Sequence, residues 1–161
     1  MIRLLVDWVI RQAKKRPYVH IGGTNDSDYM RRWWLVPYNR FGISCRVHEI
    51  LQSDDDRAYH DHPWWYITVV LRGGYWEIRP KYDRSGIFVG DSCRWIGPGR
   101  VLFRRAKSWH RLEIPNGQTA FTLFICGRKA QDWGFLVNPK NKVAWWEYLP
   151  PRDPHTSKDY E

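Results

Sequence analysis

Hydrophobic and polar positions follow a helical spacing only at the beginning of the chain. There the apolar residues recur at intervals of three and four, as on one face of a helix, at Ile2, Leu5, Val6, Val9, Ile10 and Ala13. Pro17 has no backbone N–H to donate, so we expect the helix to span about residues 2–16. The segment 21–27, which contains Gly22-Gly23 and Asn25-Asp26, is predicted to be a loop.

From residue 33 onward the pattern consists of short runs rich in β-branched and aromatic residues. Clusters of Gly, Pro, Asn and Asp separate these runs, as turns separate strands. The runs predict nine strands, over residues 33–36, 42–51, 64–71, 75–79, 86–89, 101–105, 110–114, 120–126 and 135–137. One helix followed by many short strands is typical of an all-β antiparallel sandwich or barrel.

The length of 161 residues fits a single domain with one hydrophobic core. Hydrophobic residues make up 43% of the chain and aromatic residues 16%, which excludes disorder for most of it. We therefore expect one domain over residues 1–149. The segment 150–161 contains three prolines and is expected to be a flexible tail, in which His155 is solvated.

Cysteine usage and hydropathy bear on the cellular compartment. Cys45, Cys93 and Cys126 lie far apart and form no C-x-x-C pair, so neither a disulfide framework nor a zinc–thiolate site is indicated. The N-terminal apolar run has no small-residue cleavage site, and no stretch is long enough to span a bilayer. These features predict a cytoplasmic protein without a membrane partner, and they leave open whether it forms a homodimer.

The net charge of +9 raises the question of anionic partners. Lys and Arg are spread along the chain and do not form one tail, which is typical of a solvated surface. A basic surface with many Trp could hold a nucleic acid through phosphate contacts and base stacking, although no recognised nucleic-acid motif is present. A small anionic substrate is the favoured partner.

Metal-ligand spacing appears at His60-Asp61-His62, just before an apolar strand. Alternate residues of a strand share a face, so His60 and His62 can point the same way, with Trp64 and Tyr66 following on that face. By the same alternation His110 lies on the apolar face of Leu112 and Ile114, which should be the inward face. Neutral imidazole is a common metal ligand, and three of them could converge here.

The order of these motifs resembles the cupin superfamily. His60-Asp61-His62, an apolar strand and Gly73 correspond to its first motif, and Gly97, Pro98-x-Arg100 and His110 to its second. The stretches from Tyr59 to Trp64 and around Trp133-Gly134-Phe135 also look similar to small cupin-like proteins of phages and bacteria. The resemblance implies a double-stranded jelly-roll β-barrel with a metal inside.

The chain departs from the usual cupin pattern at Tyr66, which stands where a glutamate ligand is usual. The remaining set of three histidines resembles that of the cysteine-dioxygenase-like cupins. Tyr66 should enter the cavity and hydrogen-bond a bound water or substrate, unless it is a buried tyrosine with a backbone partner. Asp61 should point away from both histidines, which argues against an H-x-D site for 2-oxoglutarate.

Four further residues are candidates for substrate binding. Trp64 would form a wall of the pocket. Arg46 and His48 share a parity in the run 42–51; if it faces inward, Arg46 could hold a carboxylate or phosphate and His48 could be a ligand or base, and otherwise both lie on the surface. Glu77 could supply a compensating carboxylate, or it is a surface charge.

The leading hypothesis is a mononuclear metal cupin, in particular an Fe(II)-dependent dioxygenase or related oxidoreductase acting on a small polar or anionic substrate. Zn(II) or Mn(II) could replace iron as a Lewis acid. One alternative is a non-enzymatic module that binds nucleic acid, nucleotide or protein. Another is a metal-free sugar-nucleotide isomerase of the same fold, with a histidine as base.

Overall fold

A computed structural model describes residues 2–21, 28–54, 58–138 and 140–149. The predicted tail at 150–161 and the predicted loop, apart from Ile21, lie outside these ranges. Within them the chain forms two helices and twelve strands: α1 (Ile2–Lys14), β1 (Val19–Ile21), β2 (Met30–Val36), β3 (Ser44–Ile50), β4 (Tyr59–His60), β5 (Tyr66–Arg72), β6 (Tyr75–Tyr82), β7 (Phe88–Ile96), β8 (Val101–Arg104), β9 (Arg111–Glu113), β10 (Ala120–Cys126), β11 (Gly134–Val137), β12 (Asn141–Ala144) and α2 (Trp145–Tyr148).

The strands form one large antiparallel sheet and two small ones. The large sheet has the order β1-β2-β3-β10-β5-β8, and the small sheets have the orders β12-β11-β4 and β7-β6-β9. Gly73, in the turn between β5 and β6, has φ +69°, and a Cβ there would lie 2.0 Å from the carbonyl oxygen of Thr119. Only glycine fits this turn.

Most predicted elements are present, with differences at their ends. α1 ends at Lys14, two residues early, and Ile21 ends a strand instead of beginning a loop. β7 runs from Phe88 to Ile96 and not over residues 86–89, because it is an exposed edge strand whose second half has no apolar alternation. β1, β4, β12 and α2 are too short to leave a periodic pattern.

Two apolar clusters flank the large sheet. On its outer face, Ile10 and Ala13 of α1 pack against Trp33, Val47 and Phe121. On its inner face, residues of the large sheet meet those of the β7-β6-β9 sheet in a cluster of Ile50, Val70, Tyr75, Ile96, Leu102, Leu112, Ile114 and Ala120. Because α1 covers the outer face, both faces of β3 are buried, and polar residues of this strand also lie in the interior.

Polar residues follow the inner apolar cluster along the same inward rows. Along these rows, a residue two or four positions from a member of the apolar cluster faces the same way and is polar. These residues line one cavity; they are His48, Tyr66, Thr68, Glu77, His110 and Thr122. The jelly roll thus places a polar layer directly against its apolar core.

Candidate metal centre

The backbone brings His60 and His110 face to face. His60 N–H donates to the carbonyl of His110 at 2.9 Å, and His110 N–H donates to that of His60 at 3.1 Å. Residues that exchange both hydrogen bonds in an antiparallel pair project their side chains to the same face. His62 N–H in turn bonds the carbonyl of Ala106 at 3.0 Å, which holds the next histidine beside the pair.

Three imidazoles converge at this point. The candidate ligand nitrogens of His60, His62 and His110 all lie within 4.8 Å of one another, and Nε2 of His62 is 2.9 Å from Nε2 of His110. Two nitrogens bound at right angles to one ion, each about 2.1 Å from it, would be about 3.0 Å apart. The donor set therefore fits a first-row divalent metal ion such as Fe(II) or Zn(II).

Burial keeps one of these rings available as a ligand. Desolvation, followed by the neighbouring His110 and His60, lowers the pKa of His62 well below its usual value of 6.5. The ring is therefore neutral at pH 7, with a lone pair to offer to a metal.

Buried carboxylates stand behind two of the histidines. Glu77 Oε1 lies 3.4 Å from His110 Nδ1, and Arg104 holds that carboxylate from the other side, donating from Nε to Oε1 at 3.0 Å and from Nη2 to Oε2. Asp54 lies 3.7 Å from His60 Nδ1 and accepts the N–H of Leu112 at 2.8 Å. His110 Nδ1 has no hydrogen-bond partner among the described residues, and the distance from His60 Nδ1 to Asp54 exceeds that of a hydrogen bond. Each carboxylate nevertheless lies on the side of the ring from which a carboxylate can orient a metal-binding imidazole and raise its basicity. Glu77 is buried, so the surface alternative is wrong; it lines the second cavity behind His110 and stays a candidate for a compensating carboxylate.

Glu77 is ionised in this setting. Burial disfavours the charged form, but the contacts with His110 and Arg104 outweigh it and lower the pKa of Glu77 to about 2. The charge of Arg104 is thus neutralised within the wall of the cavity.

Tyr66 enters the cavity as its parity predicts. Its hydroxyl lies 3.2 Å from Nε2 of His110, and its ring stacks on Phe124 with centroids 4.8 Å apart. Burial, followed by the charge of Glu77, raises the pKa of Tyr66 well above its usual value. The side chain is therefore a neutral phenol that can donate a hydrogen bond. Trp64 lines the same space and forms one of its walls.

Two adjoining cavities of about 100 and 90 Å³ contain these groups. Both are lined by His60, His62 and Trp64, and also by Arg32, which no pattern in the sequence singled out. Arg32 is buried on β2, and its Nε donates to Nε2 of His48 at 3.3 Å. A guanidinium thus faces the small space beside the three imidazoles.

His48 and Arg46 are both buried, so the surface alternative for them is wrong. His48 lines the second cavity but lies outside the three-histidine cluster. Burial, then the charges of Arg32 and Arg46, lowers the pKa of His48 well below 6.5, so it is a neutral acceptor for Arg32. The surface alternative assumed that one face of β3 is exposed to solvent. It is wrong because α1 covers the outer face of β3, so that both faces of the strand are buried.

Arg46 lies elsewhere in the interior and lines neither cavity. Its guanidinium packs over the rings of Trp34, Trp64 and Phe124, and its Nη2 is 2.8 Å from Sγ of Cys126. Its Nε and Nη1 have no hydrogen-bond partner among the described residues. The structure therefore gives Arg46 a place in the aromatic core beside the site.

Asp61 points away from the histidines, as alternation predicts. It is buried and accepts hydrogen bonds from Gly134 N–H and from the side chains of Gln131 and Lys142, all at 2.7–2.8 Å. It ties β4 to the β11–β12 hairpin and holds the adjacent histidines in place.

The fold and the three-histidine cavity together define a cupin jelly-roll barrel with a candidate metal centre, which confirms the fold that the H-x-H motif implied. No family model matches the chain, and no curated protein matches its sequence. No helix among the described residues is long and apolar enough to cross a membrane.

Solved structures with the same fold include three of different kinds. An Fe(II) HppE structure is 18% identical, with a TM-score of 0.54 over 70% of this chain and 57% of that one. A DMSP lyase DddQ from Ruegeria pomeroyi is 16% identical, with a TM-score of 0.58 over 84% and 68%. A cupin-2 domain protein from Rhodospirillum rubrum is 11% identical, with a TM-score of 0.55 over 75% of each chain. The chain thus spans little more than half of HppE, and these likenesses establish the fold alone.

Proposed function

We propose that the protein is a mononuclear metal enzyme, an Fe(II)-dependent oxygenase that acts on a small anionic substrate. The observation that carries the proposal is the convergence of the nitrogens of His60, His62 and His110 within 4.8 Å of one another in the wall of a cavity. Convergence of three imidazoles favours metal binding over the metal-free isomerase, which would need one histidine as a base. The shared fold of the Fe(II) HppE structure supports iron as the metal.

His60, His62 and His110 would hold the Fe(II) ion, which would supply one-electron chemistry toward O₂ and a substrate. The protein orients these imidazoles through Glu77 and Asp54, which contact the ring nitrogens of His110 and His60 at 3.4 and 3.7 Å. Phe124, Trp64 and Leu102 give part of the cavity an apolar wall.

The presence of Arg32 in the cavity wall favours an anionic substrate. The guanidinium of Arg32 lines both cavities, in which the side chains of His48 and His62 are uncharged. The carboxylate of Glu77 is paired with Arg104. A guanidinium binds carboxylate, phosphonate or phosphate oxygens through paired N–H groups. The neutral His48 accepts from Arg32 Nε and so positions the arginine without competing for an anion.

Tyr66 has the role of a hydrogen-bond donor to the substrate. Its hydroxyl lies 3.2 Å from the ring of His110, so a substrate oxygen in the cavity can approach both the phenol and the candidate metal ligands. Because the phenol stays protonated, it can also hold or return a proton at its oxygen during the reaction.

Elemental analysis of untagged protein prepared without oxygen tests the metal. We expect about one iron per chain, held by His60, His62 and His110, and its loss in a variant with His60 and His62 both changed to Ala. Oxygen uptake is then measured with a panel of small carboxylates, phosphonates and phosphate esters. Equal metal contents in the two proteins would contradict the metal site, whereas turnover without oxygen uptake would contradict the oxygenase.

A further inference from the structure

A third cavity lies next to the candidate metal centre and shares Pro63, Trp64 and Trp133 with the first cavity, but its other lining residues are not used in the function proposed above. We name it the tryptophan cavity. Its volume is about 580 Å³, within the range of ligand pockets. Its walls carry four indole rings and one phenol ring, from Trp64, Trp133, Trp145, Trp146 and Tyr38.

Two of the indole rings are parallel, and a third, which is exposed, stands nearly perpendicular to one of them. The rings of Trp133 and Trp145 are parallel within 7°, and the ring of Trp146 stands at 85° to that of Trp145. Trp146 remains 53% exposed although it belongs to this aromatic wall. Solvent-exposed aromatic faces that line a cavity are a typical site for a ligand with a flat ring.

The rim of the tryptophan cavity is cationic. Lys129 pairs with Asp132 at 3.0 Å, so the acidic residue of the lining is neutralised. The exposed Arg128 donates from Nε to the carbonyl of Phe41 at 3.0 Å, which holds its guanidinium at the rim. Among the described residues Arg128 has no ion-pair partner, so it supplies a positive charge next to the exposed Trp146, on a chain whose net charge is +9.

We propose that the tryptophan cavity binds single-stranded nucleic acid, with a base stacked on the indole rings and a phosphate on Arg128. Stacking on aromatic side chains combined with contacts from basic residues is how proteins hold single strands without reading their sequence. The described lining contains no Asn, Gln, Ser or Thr, so it offers few groups for sugar hydroxyls or base edges. This argues against a neutral carbohydrate and predicts weak base preference.

The charge of the whole chain favours a strand over a free nucleotide. Basic residues are spread over the surface, and a strand can contact several of them while one of its bases occupies the cavity. A single nucleotide would use only the groups in the cavity itself. The tryptophan cavity shares three lining residues with the first metal-adjacent cavity, namely Pro63, Trp64 and Trp133. Because a metal ion in the adjacent centre could affect binding here, binding is measured with and without a chelator.

Fluorescence anisotropy with a labelled ten-nucleotide oligothymidylate tests the proposal on the full chain at low and moderate salt. Trp146→Ala should weaken binding about fivefold or more, the effect of losing one stacked base. Arg128→Ala should weaken it and reduce the slope of log affinity against log salt by about one. Matched controls are Trp95→Ala and Arg94→Ala, exposed residues of β7 outside the cavity, which should retain wild-type affinity within about twofold.

Each competing outcome would overturn the proposal. Absence of binding at low salt would do so directly. Equal losses in the control variants would mean that surface charge alone binds the strand, and equal affinity for duplex DNA would exclude a stacked base. Competition by thymidine monophosphate at the same phosphate concentration would identify a free nucleotide as the occupant.

Discussion

Glu77 lies behind His110, with 3.4 Å between its Oε1 and the imidazole Nδ1, while Arg104 holds the same carboxylate from the opposite side. The contact leaves Nε2 of His110 directed at His62 and Tyr66. Orientation of the candidate ligand thus depends on a strand, β6, that carries none of the three histidines.

Glu77→Gln should weaken metal binding by about 10- to 100-fold, because the amide keeps the shape of the carboxylate but loses its charge. Titration with Fe(II) or Zn(II) against a competing chelator measures the effect. Glu49→Gln is the matched control: Glu49 is also a buried carboxylate, paired with Lys14 and Arg31 on the opposite face of the large sheet. Equal affinities of Glu77→Gln and wild type would remove Glu77 from the metal site.

Replacing His110 by Ala should remove most of the metal and leave the fold largely intact, because the apolar clusters supply most of the stability. His48→Gln serves as the control, since His48 shares the cavity but lies outside the cluster. Elemental analysis and thermal unfolding of both variants check the prediction. Loss of metal in His48→Gln alone would mean that the ligand set is wrong.

Arg32 and Arg46 are two buried arginines with different expected roles. Arg32→Met should raise KM for an anionic substrate about 10- to 100-fold, the value of a lost charged hydrogen bond. Arg46→Met should leave KM unchanged, because Arg46 lines neither of the metal-adjacent cavities. Steady-state kinetics of the two variants, with unfolding curves to confirm folding, separate these roles. The reverse order of effects would restore Arg46 as the substrate-binding residue.

Alternation along single strands predicted the part of the site that depends on local geometry. His110 shares a row with Leu112 and Ile114, and all three are buried. Tyr66 likewise faces inward from β5. Such assignments need only the period of two that every strand has.

Pairing between strands determined what alternation could not supply. Arg32 reaches His48 because the two residues are partners in the β2–β3 register, and Glu77 reaches His110 because β6 pairs with β9. Neither register is visible in a single sequence. The predicted run at 33–36 begins after Arg32, whereas β2 begins at Met30; the longer strand and its pairing with β3 would have indicated Arg32.

The stability of the metal-free protein should decrease with acid in a way that depends on His48. Its pKa is held well below 6.5 by burial and by the charges of Arg32 and Arg46, whereas the unfolded histidine titrates near 6.5. Below about pH 6.5 the unfolded chain binds a proton at His48 that the folded protein does not bind. The contribution of the neutral His48 to the free energy of unfolding is therefore fully present above about pH 6.5 and decreases below it.

His48→Gln should remove this part of the acid sensitivity, up to about 1.4 kcal/mol per pH unit below 6.5. Urea unfolding of both proteins in the presence of a chelator, at several pH values from neutral to mildly acidic, gives the two slopes. The other histidines are common to both proteins, and of these the pKa of His62 depends on His48 only as the last of five causes. Parallel curves would show that His48 is protonated in the folded state as readily as in the unfolded chain.

Tyr66 tests the point at which this chain departs from the usual cupin pattern. The buried, protonated phenol lies 3.2 Å from His110, so it is placed to donate a hydrogen bond and not to coordinate as phenolate. Tyr66→Phe should keep the metal and the fold but lower turnover, and Tyr66→Glu should tighten divalent-ion binding by adding a carboxylate. Tyr75→Phe is a control at another buried tyrosine of the same cavity. Metal titrations and turnover measurements of the variants test this role of Tyr66. Loss of the ion in Tyr66→Phe would mean that the phenol is a metal ligand. Unchanged metal affinity and turnover in both Tyr66 variants would mean that Tyr66 lies outside the site.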